Sequence, residues 1–169
     1  MRTLSLAVPA AALGLVATPV LAGDLTVSIE IPTLPVAAYH RPYVAVWIEQ
    51  PDQTAVRTLA VWYDVNKARG EGKDWLKDLR TWWRKGGRAL TLPADGVSSA
   101  TRAPGRQTLN VPAARLSRLP AGSYTLVVEA AREQGGREVV RVPFQWGTAG
   151  TATDTGSNEL GAVRVTVNR

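Results

Sequence analysis

The stretch Asp95-Gly96-Val97-Ser98-Ser99-Ala100-Thr101, followed by Arg102 and Arg106, has the residue types in this 169-residue chain that best fit a chemical task. Thr101 offers a hydroxyl, and Ser98, Ser99 and Ala100 are small enough to let an enzyme or a phosphate approach the backbone. The two guanidinium groups behind it suit a phosphate, which a planar fork of N–H donors can hold through two bonds at once. The plain alternative is a polar loop in which Asp95-Gly96 is a turn and Thr101 stays unmodified.

A second candidate is aromatic and cationic. Trp75, Trp82 and Trp83 lie among Arg80, Arg84 and Arg88, a surface suited to an anionic ligand or a partner protein. Aromatic stripes at helical spacing more often pack on a core, and that reading is the stronger one here. Trp83, at the edge of the stripe, is the indole expected to be exposed. The lone histidine, His40, has no carboxylate or nucleophile near it in sequence, so general-base catalysis has no support. Asp52, Asp64, Glu71 and Asp154 lack calcium-loop spacing and read as solvated. The chain has no cysteine, which excludes disulfides, thiolate catalysis and Cys-ligated metals. No complete catalytic constellation is present, and the chain reads as a non-enzyme.

The elements that must position these residues follow from periodicity. In Asp24–Ile31, Leu25, Val27, Ile29 and Ile31 alternate with Thr26, Ser28 and Glu30, the pattern of a half-buried strand. Tyr43–Glu49 is apolar on both faces, as in a central strand, and Arg57–Tyr63 follows after the turn residues Pro51–Thr54. Gln107–Val111 is a weak strand candidate; Tyr124–Ala130, Val139–Trp146 and Ala162–Val167 are strong ones, with Gly135-Gly136 as a hairpin turn. Gly147–Gly156 shows no periodicity and reads as a loop. In Asp74–Lys85 the period changes: Trp75, Leu76, Leu79, Trp82 and Trp83 fall on one face of an amphipathic helix capped by Asp74 and stopped by Gly86-Gly87. Leu119–Tyr124 fits a tyrosine corner. The sum is an all-β, immunoglobulin-like antiparallel β-sandwich of six to seven strands, with an insertion over 64–105 that carries the helix.

The N-terminus reads as a secretory leader. One positive charge, Arg2, precedes an uncharged run from Leu4 to Leu21, and Val20-Leu21-Ala22 suits cleavage after Ala22. A membrane anchor would share the apolar run, but Pro9, Pro19 and the good cleavage site argue for removal. Taking 22 of 169 residues away leaves 147, a usual size for one domain, here 23–169. Only Arg2 of the 20 basic residues is lost, so the net charge falls from +6 to +5. In an exported protein that excess points to anionic ligands rather than to nucleic acid. No second long apolar run exists, so no transmembrane segment is expected in the mature chain.

Several ordered blocks carry a resemblance: Arg41–Glu49, Thr58–Tyr63, Trp75–Trp83, Ala100–Gly105, Ala121–Tyr124 and Ala130–Glu133. Together they resemble a family of predicted periplasmic proteins, domain of unknown function 2271, over nearly the whole mature chain. The resemblance implies a bacterial periplasmic location and company with membrane-bound reductase-like proteins, flavin transferases and iron-uptake receptors. One departure stands out: after Pro104-Gly105 such sequences tend to carry a Trp-Asp-Gly turn, which Leu109-Asn110-Val111 replaces here. Separately, Asp95–Thr101 is similar to the motif on which bacterial flavin transferases attach FMN by a phosphoester to the final hydroxyl. That similarity makes Thr101 the expected site, with Asp95, Ser98, Arg102 and Arg106 around it, and suggests Trp82 and Trp83 as a stacking face. Ser99 stands where the motif has Gly; if the turn needs positive φ, a Cβ there is costly. With this mismatch the unmodified loop is the stronger reading of the segment alone. The resulting expectation is a periplasmic module of a redox or iron/metal-acquisition system that carries covalent FMN. The alternative is a colourless binding or adaptor domain using the Trp/Arg surface.

Overall fold

The alternation of Leu25, Val27, Ile29 and Ile31 with polar residues folds as strand β1 (Leu25–Ile31), whose apolar side chains are all buried. In the computed structural model, which describes residues 23–168, this strand is at the centre of a four-stranded sheet. The expected leader lies outside the described residues. β1 pairs antiparallel with β5 (Gly105–Val111) on one side and β9 (Ala162–Val167) on the other, and β9 pairs with β8 (Gly150–Thr155). The facing sheet has five strands in the order β4 (Ser98–Ser99), β3 (Ala55–Trp62), β2 (Tyr43–Glu49), β6 (Gly122–Ala131) and β7 (Arg137–Trp146). Only the two-residue β4 runs parallel to its neighbour. The main core lies between the sheets and is apolar, from Leu25 and Val165 on one side to Val46, Leu126 and Val142 on the other.

The expected all-β sandwich is therefore present, with nine strands among the described residues rather than six or seven. One of the added strands, β8, replaces the loop expected over Gly147–Gly156. Its Thr and Gly residues bury little, only Ala152 packing toward the core, so no period-two signal arises. Backbone pairing with β9 holds it, helped by a 3.0 Å contact between the Thr151 and Thr166 hydroxyls. The tyrosine corner forms as expected: the Tyr124 hydroxyl donates to the Pro120 carbonyl at 2.9 Å. The C-terminal strand β9 lies beside the first strand, β1, between it and β8.

The helix expected over 74–85 is corrected. Ala68–Asp78 winds as 3₁₀ turns, kinked where Arg69 and Gly70 take φ of 57° and 72°, and only Arg80–Arg84 (α1) is α-helical. Asp74 lies inside the 3₁₀ segment and caps nothing. The inward positions are Leu76 near the end of the 3₁₀ segment, Leu79 in the break between the two windings, and Trp82 in α1, all buried. Trp75 is thereby turned out, 40% exposed, while Trp83 packs half-buried at the edge. The expected order of exposure, with Trp83 outermost, is thus reversed. Gly87 lies directly under the Trp82 indole, where a Cβ would collide with the ring.

Candidate functional site

The outer face of the five-stranded sheet presents Trp47 and Glu49 from β2, Val127 and Glu129 from β6, and Arg137, Val139 and Arg141 from β7. The insertion lies on this face, and two fully buried carboxylates fasten it there. Glu129 accepts the backbone N–H groups of Thr81 (3.0 Å) and Trp82 (2.8 Å), and the Arg137 guanidinium at 2.6 Å. Its two oxygens thus satisfy the opening of α1, whose first N–H groups have no partner within the helix. Glu49 accepts from Trp47 Nε1 (2.7 Å) and Arg141 (2.6 Å), and pairs with Lys85 at 3.0 Å. Burial alone would raise the Glu49 pKa and is the largest single influence. The bonds from Arg141, Trp47 and Lys85 together outweigh it, and the carboxyl titrates below its ordinary value of 4.5. Trp82 adds a bond from Nε1 to Thr58 at 3.1 Å.

Beside this anchored layer lies a cleft of about 680 Å³. The insertion lines it with Asp64, Lys67, Trp75, Asp78 and Arg80, and Thr101 joins them. The β6–β7 hairpin contributes Arg132, Glu133 and Arg137, and the approach to β2 contributes Tyr39, His40, Arg41 and Tyr43. Lys67 Nζ sits 3.7 Å from the centroid of the Trp75 ring, and the Arg132 guanidinium lies 5.9 Å from that of Tyr39. Burial, ahead of the neighbouring charges, pushes the Tyr39 and Tyr43 hydroxyls above 10.0, so both remain protonated donors at neutral pH. His40 Nδ1 lies 3.6 Å from Glu133 on an exposed rim, a contact without a nucleophile. Among the described residues no group of three or more His, Cys, Asp or Glu could hold a metal ion, and no helix is long and apolar enough to cross a membrane.

The residues singled out in sequence are divided by the structure. Thr101 reaches the cleft. Ser98 and Ser99 form β4, bonded to β3 through Val61 N–H to Val97 O (2.8 Å) and Tyr63 N–H to Ser99 O (3.0 Å). The Ser98 hydroxyl accepts the Ala94 N–H at 3.0 Å, closing the turn that holds exposed Asp95. Ser99 is extended and has no positive φ, so the conformational cost expected of a serine in place of glycine does not arise. Arg102 stands 5.4 Å from the Trp62 ring and donates to the Ser99 hydroxyl at 3.3 Å; it is not part of the cleft wall. Arg106 is on β5 of the other sheet, opposite Glu30, and it too is absent from the wall of the cleft that Thr101 reaches.

The Trp/Arg surface is divided as well. Arg80 lines the cleft, whereas Arg84 and Arg88 are exposed elsewhere and Trp83 packs against Trp82, their ring centroids 6.2 Å apart. Buried Trp82 cannot stack on a ligand; the indole available for that is Trp75. Lys67, Tyr39, Arg132 and Arg137 also line the cleft, and none of them stands out by motif or spacing as a site residue. The last two carry only an indirect signal: two arginines flank Gly135-Gly136, and Glu129 interrupts an apolar strand.

A family model described as a predicted periplasmic protein, domain of unknown function 2271, matches residues 24–162. No curated protein and no solved structure matches the chain.

Proposed function

The chain belongs to the domain of unknown function 2271 family of predicted periplasmic proteins, and from that premise we propose that it is a non-enzymatic module carrying FMN on Thr101. The family places the protein in the periplasm. The observation behind the flavin reading is the company Thr101 keeps: its residue lines the same cleft as exposed Trp75, Lys67 and Arg80. Pairing of β4 with β3 fixes the two residues before Ala100, so the hydroxyl leaves a rigid edge on a short non-strand segment. A flavin ester-linked there has an indole and cations within the same cleft. A membrane-bound reductase-like protein, in a redox or metal-acquisition system, is the partner this role implies.

The test is co-expression with a flavin transferase followed by intact-mass measurement. The expected result is a gain of one FMN less one water, mapped to Thr101 and abolished by Thr101→Val with unchanged melting. Because Ser99 is extended, Ser99→Gly leaves the labelling yield unchanged. A protein that stays colourless and unlabelled sinks the flavin reading. The second reading, a colourless binding domain for an anionic ligand, then gains, since Lys67 and Arg80 line the cleft whether or not Thr101 is esterified.

A further inference from the structure

The hairpin that joins β6 to β7 is built around two charge pairs. Arg132 Nε and Nη2 donate to the two oxygens of Glu159 at 2.8 and 3.0 Å, with both side chains more than nine-tenths buried. The Gly136 N–H donates to the same carboxylate at 2.7 Å. Both turn glycines are demanded by this arrangement: a Cβ at Gly135 would meet the Arg132 guanidinium, and one at Gly136 would meet Glu159. On the other strand Arg137 Nη1 donates to Glu129 at 2.6 Å and to Thr81 Oγ1 at 3.2 Å. Each arginine is therefore held in one orientation by a buried carboxylate. Each also keeps donors unused among the described residues, Nη1 on Arg132 and Nε with Nη2 on Arg137. Both residues line the cleft.

We propose that Arg132 and Arg137 form a preformed oxyanion subsite, which holds the phosphate or carboxylate of an aromatic ligand whose ring lies on Trp75. The ordering cost of a flexible arginine is already met by the fold, which is what preorganisation contributes to affinity. The attraction is local. Asp64, Asp78 and Glu133 share the cleft, and Glu129 and Glu159 neutralise the two arginines, so the recognition comes from aimed N–H donors rather than from a broad positive field. Trp75 supplies the apolar half, and the Lys67 ammonium over its ring adds a cation beside any stacked anion. The subsite is non-covalent and stands independently of any ester at Thr101.

The test is calorimetric titration of the mature Thr101→Val protein, which cannot be labelled, with FMN and with riboflavin. FMN is expected to bind saturably and riboflavin, which lacks the phosphate, at least tenfold more weakly. Phenyl phosphate and phenylacetate compete to different degrees, and the stronger competitor identifies the natural oxyanion. Arg137→Lys keeps a cation beside Glu129 but loses the fork, and weakens FMN at least tenfold while riboflavin is unaffected. Should that variant fail to fold, Gly135→Ala displaces the Arg132 guanidinium and produces the same selective loss. Equal binding of the two flavins, binding of neither, competition by neither phenyl compound, or a folded variant with undiminished FMN affinity overturns the proposal. Absence of a covalent adduct in the wild type leaves all these outcomes unchanged, so the two readings fail separately.

Discussion

Between the sheets, β1 and β9 bring Leu25, Val27, Val163 and Val165 against Val46, Leu126 and Val128, apolar side chains throughout. Outside the five-stranded sheet, by contrast, Trp47, Val127, Leu79 and Trp82 share their layer with two buried carboxylates, Glu49 and Glu129. The inner layer rests on area removed from water, which is non-directional and tolerates rearrangement of similar volumes. The outer layer is directional. A buried carboxylate is costly unless its oxygens are bonded, so the insertion has one register in which Thr81, Trp82 and Lys85 meet their acceptors. That register also fixes Arg80 and Arg137 at the cleft. The smaller of the two apolar layers is thus the one whose geometry the candidate site depends on.

The largest expected effect tests whether the outer layer is a true core. Trp82→Ala removes a buried indole and its bond to Thr58, and should destabilise by about 3–5 kcal/mol in denaturant melts, as for other large-to-small aromatic changes. A cost below about 1 kcal/mol would mean that the insertion is an appendage, and the two layers would not be comparable.

Glu129→Gln comes next. It keeps the shape but removes the charge that Arg137 and two backbone N–H groups share, a loss of about 1.5–3 kcal/mol by the usual worth of charge-assisted bonds. Hydrogen exchange should quicken at Thr81 and Trp82 while the amides of β1 and β9 keep their protection. Uniform loss across both sheets would erase the distinction between the layers.

The same contrast explains what was legible in the sequence. β1 and β9 could be read because every second residue is a large aliphatic; β8 could not, because Thr151, Thr153 and Thr155 face solvent and only Ala152 turns inward. The stripe of the insertion was visible, but its period was not. A continuous α-helix over 74–85 turns Trp75 inward with Leu79, whereas the break at Leu79 between the 3₁₀ turns and α1 leaves Leu76, Leu79 and Trp82 inward and Trp75 out, and local sequence does not show the break. Thr101, which lines the cleft, drew notice in the sequence because a hydroxyl among small residues is a local feature. Arg132 and Arg137 are neighbours on one hairpin, but what holds them, Glu159 and Glu129, and what faces them, Lys67 of the insertion, come from elsewhere in the sequence, so no local pattern marked them.

Acid titration separates the layers more gently. The Glu49 carboxyl has a lowered pKa in the folded protein, so it contributes stability at pH values above 4.5, and that contribution disappears as pH falls through the folded value. Glu138 is also lowered; burial opposes this, but the N–H groups of Ser157, Leu160 and Asn158 prevail. Below pH 4.5 the wild type should therefore lose stability at both places. Glu49→Gln, less stable at neutral pH, should show a shallower acid slope, with the Glu138 share remaining. An unchanged slope would mean that Glu49 is not held as the geometry requires.

The smallest effect on stability is expected where the sequence pattern placed a core residue. Trp75 is 40% exposed, and the Lys67 ammonium lies 3.7 Å from its ring centroid. An exposed cation–π pair is worth about 0.5–1 kcal/mol, so Trp75→Ala should cost no more than that. If the α-helical spacing were correct, the indole would be inward and the loss would approach that of Trp82→Ala, so a melt of the two variants side by side decides between the windings. The same substitution should weaken FMN and riboflavin alike, because it removes the surface for the ring and leaves the arginines in place. Trp75→Phe should restore part of the affinity for both flavins. Loss of FMN affinity alone would instead place Trp75 beside the oxyanion rather than under the ring.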